Sequence, residues 1–279
     1  MNQRKNIFVY WVGPKPSLIH VLHDLMRLHS CNGRHYKLHI LSKDDFLNNY
    51  PDAPECFDHL RPAHQADVVR VWTLLKHGGI WLDSDTLVMS SLASIFDDVC
   101  NDKKGFFVAH ENCKIMNSVF GSKKNTRLLR KWKKHILRTL DESGADIKWS
   151  ILGQQFLTNA MVKRKELFSD YLIYHGPSTM EPVSYINCID AFLSKNSYAD
   201  ESSLRHFQPL IILSNRLYKA LDGHTKSEIL QANTPLSRLI KSSLCSLISQ
   251  SENFDIASLK RESSLSYVQL LSGLSKSHS

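Results

Sequence analysis

An α/β fold is predicted by three observations on the sequence. Short buried-strand patterns alternate with helix patterns from Ile7 to Val162, a Gly-Gly pair separates one such helix from the next strand, and no stretch approaches the ~20 apolar residues of a membrane span. With 279 residues, 42% of them hydrophobic and 22% charged, the chain can bury a sizeable core and has the composition of an ordinary globular protein.

Taken in order, Ile7 to Val12 reads as a buried strand. Its basic lead and short apolar run superficially resemble a signal peptide, but Pro14 and Pro16 cut the run short and no small-residue cleavage site follows. Leu18 to Leu28 carries a helical pattern, and Tyr36 to Leu41 a second strand followed by the polar "SKDDF", so the chain begins as a βαβ unit. Past the loop "YPDAPE", a helix over Pro62 to His77 opens with proline in its first turn and stops at Gly78. Strands are expected near Ile80–Leu82, Phe106–Ala109 and Met116–Gly121, and helices over 125–141 and Ile151–Val162. Beyond Tyr171 the pattern loosens, with "YLIYHG" and "PLIILS" as strand candidates. From Ser242 onward the chain is serine-rich, which predicts a domain over 1–240 and a marginally helical or partly disordered extension over 241–279.

The formal charge is +8, and the stretch Lys123 to Arg138 holds eight Lys or Arg and no acid. Leu128, Trp132, Ile136 and Leu140 recur every fourth residue there, setting an apolar stripe against a basic face. Such a helix suits either a solvated surface or peripheral contact with an anionic membrane face; no nucleic-acid partner is expected, because no binding motif accompanies the charge. The six cysteines lack C-x-x-C or zinc spacing and predict reduced thiols in a cytoplasmic protein. The histidines, including His64 and His175, read as surface or core groups, and His110-Glu111 lacks the second histidine of a zinc helix.

Residues 64–89, "HQADVVRVWTLLKHGGIWLDSDTLVM", carry the chemistry. Val68, Val71, Trp72 and Leu75 fix one helix face as the core side; Asp67 and Arg70, three apart, are neighbours at its margin. They form either a routine ion pair or a pair aimed into a cleft to bind sugar or ribose hydroxyls. Gly78-Gly79 permits a sharp exit, and the strand "IWLDSD" ends in Asp83 and Asp85. Alternation along an extended chain sends both carboxylates the same way, where they repel unless a cation lies between them; oxygen-only ligands favour Mg²⁺ or Mn²⁺.

In this combination the stretch resembles the D-x-D glycosyltransferases of the sugar-binding-region type, which include capsular polysaccharide synthesis proteins, α-1,4-galactosyltransferases, related mannosyltransferases and the glucosylating domains of large toxins. Their "A-D-x-x-R" helix and "G-G-I-Y/W-L-D-x-D" strand correspond to Ala66–Arg70 and Gly78–Asp85. The opening "IFVYWVG" is similar to their first strand, "NSVFGS" (117–122) to a donor-site segment, and "ILGQQFLTNAM" (151–161) to a helix start where Gln154 replaces the usual proline. "MEPVSY" and "LIILSNRLY" are similar to later elements.

The resemblance implies a GT-A fold, an α/β sandwich around a mixed sheet with a Rossmann-like nucleotide-binding half. It implies a metal-dependent, retaining hexosyltransferase that moves a sugar from a nucleotide sugar, UDP-sugar favoured, to a glycan or glycolipid acceptor in capsule or lipopolysaccharide synthesis. Asp85 would ligate Mn²⁺ or Mg²⁺ directly, with Asp83 contacting ribose and metal shell. Asp67 and Arg70 would hold the donor sugar, Trp11 would stack on the base with Tyr10 beside it, and Ser214 or Asn215 would complete the metal site. Two alternatives stand beside this: a catalytically silent sugar-nucleotide or glycan-binding subunit, and a haloacid-dehalogenase-type phosphatase. The latter's D-x-D-x-T is out of register here, since Thr86 follows Asp85 directly.

Overall fold

The computed structural model describes residues 5–31, 36–92, 95, 103–195 and 209–249. In chain order its elements are β1 (Lys5–Tyr10), α1 (Ser17–Cys31), β2 (Tyr36–Leu41), α2 (Lys43–Asn49), α3 (Pro62–His77), β3 (Gly79–Leu82), β4 (Thr86–Val88), β5 (Gly105–Ala109) and β6 (Ile115–Ser122). There follow α4 (Arg127–Ser143), α5 (Gln154–Lys163), β7 (Tyr171–His175), α6 (Gly176–Thr179), α7 (Cys188–Leu193), β8 (Leu210–Ile212), α8 (Asn215–Ala220), α9 (Lys226–Gln231) and α10 (Pro235–Ser249).

The chain divides into two compact units: residues 1–14, 35–84 and 93–181 form the first, and 15–34, 85–92 and 182–279 the second. The first contains a six-stranded sheet in the order β2-β1-β3-β6-β5-β7. β6 runs antiparallel to both neighbours, while the other pairings are parallel. The carboxyl ends of β1, β2, β3, β5 and β7 therefore share one edge with the amino end of β6. The chain leaves β1 for β2 on one side and returns to β3 on the other, which makes the β1–β3 crevice the switch point where ligands of α/β sheets bind.

α3 packs on β1, β3 and β6 and also on α4, so it lies between sheet and helix. That double cover buries every residue from Asp67 to Leu74, including both members of the D-x-x-R pair. α3 begins at Pro62, whose missing N–H costs nothing in a first turn, and ends where Gly78 turns at φ +65°. Gly79 is equally constrained: its φ is +119°, and a Cβ there would lie 2.3 Å from the Asn6 carbonyl oxygen of the neighbouring β1. On α4, Leu128, Trp132, Ile136 and Leu140 are buried as their spacing predicts, while Lys131, Lys134 and Arg138 are exposed.

α2 replaces the polar connection expected at "SKDDF". Ser42 caps it in a reciprocal capping box, its side chain accepting from the Asp45 N–H while Asp45 accepts from the Ser42 N–H at 2.9 Å. β1 ends at Tyr10 rather than Val12, although the Trp11 N–H still reaches the Leu41 carbonyl at 3.1 Å.

In the second unit, β4 and β8 form a two-stranded antiparallel pair, and α1 packs against β4, α9 and α10. α10 runs continuously across residue 240, with Ser243, Leu244 and Leu247 buried, so the serine-rich pattern is helical and core-facing up to Ser249. Residues 250–279 of the expected extension lie outside the described residues. Cys56, Cys113, Cys188 and Cys245 are free thiols. Among the described residues no helix is long and apolar enough to cross a membrane.

Candidate active site

At the carboxyl edge of the first unit's sheet, Arg70 joins two carboxylates. Its Nη2 lies 3.5 Å from Asp67 Oδ1 and 3.2 Å from Asp83 Oδ1, and Nη1 donates to the Asn117 carbonyl. Its Nε donates to the Ala66 carbonyl at 3.1 Å, and its guanidinium lies 5.1 Å from the centre of the Trp81 ring. The Asn117 side-chain amide donates to Asp67 Oδ1 at 2.6 Å, and the Trp81 indole N–H to Asp83 Oδ1 at 2.7 Å. Both carboxylates thus receive a neutral donor as well as a share of one cation.

Each link follows from local structure. One helical turn sets Asp67 beside Arg70, and the antiparallel pairing of Leu82 with Val119 brings Asp83 level with Ser118, whose carbonyl accepts from the Asp83 N–H at 2.8 Å. That register leaves Asn117 one step away, facing Asp67. The chain before α5 closes the group from the other side: a Cβ on Gly153 would stand 2.1 Å from Asn117 Nδ2 and 2.9 Å from Asp67 Oδ1. A residue larger than glycine cannot occupy 153 without displacing the network.

One guanidinium serves two carboxylates, so the group is short of positive charge. Burial raises the Asp67 carboxyl to about 7; Arg70 and the Asn117 hydrogen bond oppose that rise, and the Asp83 charge reinforces it. Burial raises Asp83 as well, against the pull of Arg70 and Trp81. The two differ in access. Asp67 and Arg70 expose only 6% and 4% of their side chains, whereas Asp83 exposes 28%. The pair that reads either as a routine ion pair or as cleft-facing is therefore an enclosed ion pair, and of the three Asp83 is the partly exposed one.

Tyr10 is also core: its ring is buried, and its hydroxyl donates to Gln65 Oε1 at 2.8 Å. Trp11, one residue past β1 at the switch-point crevice, is partly exposed, its indole N–H shared between the carbonyls of Gly13 (3.1 Å) and Pro14 (3.3 Å). At the same edge His110 pairs with Glu181 at 2.6 Å, which gives that histidine a partner the sequence did not suggest.

In the second unit, Asp85 precedes β4, and its carbonyl accepts from the Leu213 N–H at 3.2 Å. That contact holds Ser214 and Asn215 close to it. The Ser214 hydroxyl already caps α8 by accepting from the Arg216 N–H at 3.2 Å. Asn215 Oδ1 is buried and has no hydrogen-bond partner among the described residues. Tyr218 completes the group, its hydroxyl raised by burial and by the Asp85 charge. Among the described residues no three His, Cys, Asp or Glu side chains gather as a ready metal cluster. The donor set nonetheless suits a hard divalent ion. Mg²⁺-type sites use one or two carboxylates and complete their shell with water and phosphate oxygen, and an orphaned amide oxygen beside Asp85 is a donor of the right chemistry.

A mostly parallel sheet, a switch-point crevice and a strand running into a D-x-D pair define the GT-A class of fold. The chain is similar to the apo form of the glycosyltransferase GlyE of Streptococcus pneumoniae TIGR4, with a TM-score of 0.51 at 10% identity over 89% of this chain and 62% of that one, a likeness of fold alone. It belongs to the capsular polysaccharide synthesis protein family, whose model matches residues 1–180. A looser likeness, TM-score 0.46 at 12% identity over 78% of this chain and 98% of the other, is to a glycosyltransferase involved in glycosylation of the major capsid of PBCV-1. In sequence it is 31% identical over 77 residues to the O-glycosyltransferase PaGT of Phomopsis amygdali; the match covers 25% of this chain and 19% of that protein's length.

Proposed function

We propose that the protein is a metal-dependent glycosyltransferase that moves a hexose from a nucleotide sugar, a UDP-sugar by preference, to a glycan or glycolipid acceptor in surface polysaccharide synthesis, with retention at the anomeric carbon. The observation that carries this reading is the Asp67–Arg70–Asp83 network, which fixes the first carboxylate of the D-x-D at the switch-point edge of a GT-A sheet.

Asp85 and Asn215 would hold Mn²⁺ or Mg²⁺, and Asp83 would contact the ribose. The bound ion supplies a Lewis acid for the charge that grows on the departing nucleoside diphosphate. Trp11 offers its partly exposed ring to the base. Asp67 and Arg70 serve the donor through Asp83 and Asn117: they hold the Asp83 carboxylate in one orientation and keep the Asn117 amide turned inward. The direct grip on the sugar that the resemblance assigns to them becomes an indirect one. His110, paired with Glu181 at the same edge, is a polar group available to an acceptor hydroxyl.

The test is a panel of UDP-, GDP- and CMP-sugars with Mn²⁺, scored for donor binding and slow donor hydrolysis. UDP-sugars are expected to lead; the absence of binding and hydrolysis across the whole panel overturns the reading. Asp85→Asn should lower turnover by about 10³ or more, because it removes a ligand charge, yet leave the thermal midpoint nearly unchanged, because the side chain is partly exposed and no core volume is lost.

A further inference from the structure

The basic helix α4 does more than present charge to solvent. Together with α5 and the residues flanking it, it encloses a groove of about 550 Å³, within the range of small-molecule sites. Lys131, Lys134 and Arg138 line one wall, each one turn beyond the last. Lys163 and Arg164, at and just past the end of α5 and outside the cationic run, line the other. No Asp or Glu is part of the lining; Arg138 meets Glu142 only loosely, at 3.8 Å with both side chains exposed.

The floor is apolar, made by Ile151, Phe156, Ala160 and Leu167. It is also rigid. Phe156 stacks on His135 with centroids 4.8 Å apart, and the His135 Nε2–H donates to the Ile151 carbonyl at 2.9 Å. Five cations above an apolar floor match an anion that carries hydrocarbon. A hydrated sugar phosphate would use the rim and gain nothing from Phe156 and Leu167, whereas each methylene laid on such a floor contributes ~0.8 kcal/mol. The long Lys and Arg stems can lie along the apolar surface while their charged ends reach a phosphate.

We propose that this groove seats the phosphate head and first methylenes of one anionic membrane lipid and so docks the protein on an anionic bilayer. The inference goes beyond the transfer reaction and does not depend on it.

The experiment is co-sedimentation of the full chain with vesicles of phosphatidylcholine alone and with added phosphatidylglycerol. Two variants remove the same charge from different places. The groove variant carries Lys134→Gln, Arg138→Gln, Lys163→Gln and Arg164→Gln; the control carries Lys123→Gln, Lys124→Gln, Arg127→Gln and Arg130→Gln, whose side chains do not line the groove. A third, Asn159→Trp, obstructs the groove from its exposed rim without altering charge.

Binding should require phosphatidylglycerol and fall at least about tenfold in the groove variant but less than about threefold in the control, with Asn159→Trp resembling the groove variant. Equal losses in groove and control variants would mean diffuse attraction and overturn the groove. Binding indifferent to phosphatidylglycerol, or abolished by matching concentrations of free glycerol phosphate, would overturn the lipid as occupant. Donor hydrolysis in solution should be unchanged in all three variants, so a failure here stays separate from a failure of the transfer reading.

Discussion

The two units bury polar groups in opposite ways. The first encloses charge: Arg70 and Asp67 lie inside with Asp83 at the rim, and two carboxylates share one guanidinium. The second encloses mainly neutral groups. There the Ser243 hydroxyl donates to the Val88 carbonyl at 2.6 Å and accepts from His29 Nε2 at 2.9 Å, while the one buried carboxylate among that unit's described residues, Asp24, pairs with two partly exposed cations, Arg27 and Lys226. An enclosed, charge-deficient network costs stability and suits a site awaiting a ligand; a neutral, satisfied group such as that around Ser243 holds helices together.

The sharpest way to break this contrast is Arg70→Ala. It strands the buried Asp67 carboxylate, takes the cation from Asp83 at the rim, and should destabilise the first unit by about 3–5 kcal/mol, read by chemical denaturation. A loss below about 1 kcal/mol would show that the network carries no enclosed charge.

Acid should next move the units in opposite directions. Asp67 has its carboxyl raised to about 7, so its favourable contribution is complete below the unfolded value near 3.8 and disappears as pH rises through 7. His29 and His23 are lowered to about 4 and about 3, chiefly by burial, with Lys15 and Arg27 adding to the effect on His23. Their contribution is complete above 6.5 and is lost as pH falls toward those values. Between pH 7 and pH 4 the α3–β3 segment should gain protection from hydrogen exchange, corrected for intrinsic rate, while α1 and α10 lose it, by on the order of 3 kcal/mol. Parallel slopes would remove the distinction.

Smaller effects sharpen the comparison. Ser243→Ala removes one hydroxyl and leaves both the Val88 carbonyl and the His29 ring without it; about 1–2 kcal/mol should be lost from the second unit's thermal unfolding. Lys104→Met, which breaks a half-exposed pair with Asp170, should leave the unfolding midpoint within the scatter of replicate denaturation curves and serves as the solvent-facing baseline.

Much of this was readable in the chain. α3 falls on the predicted residues because Pro62 and Gly78 punctuate it chemically, and the D-x-D strand because apolar residues lead straight into two acids. The enclosure of Asp67 and Arg70 was not readable. A helical wheel sees one core face, whereas α3 is covered by the sheet and by α4, elements remote in sequence. Asn117 carried no local signal, since only the register of β3 against β6 brings it to Asp67. α2 did carry one: Ser42 and Asp45 stand at capping-box spacing, and the polarity of the segment masked it.

The reversed direction of β6 has one more implication. Were that strand parallel to its neighbours, its final residues, Gly121 and Ser122, would occupy the ligand-facing edge; running backward, it delivers its third residue, Asn117, there instead. The amide's position is therefore governed by the hairpin turn at 110–114 that launches the strand. Inserting a single amino acid into that turn so that the pairing slips by one residue would rotate the side chain to the opposite face of the pleat, so the length of this turn dictates whether the amide meets Asp67.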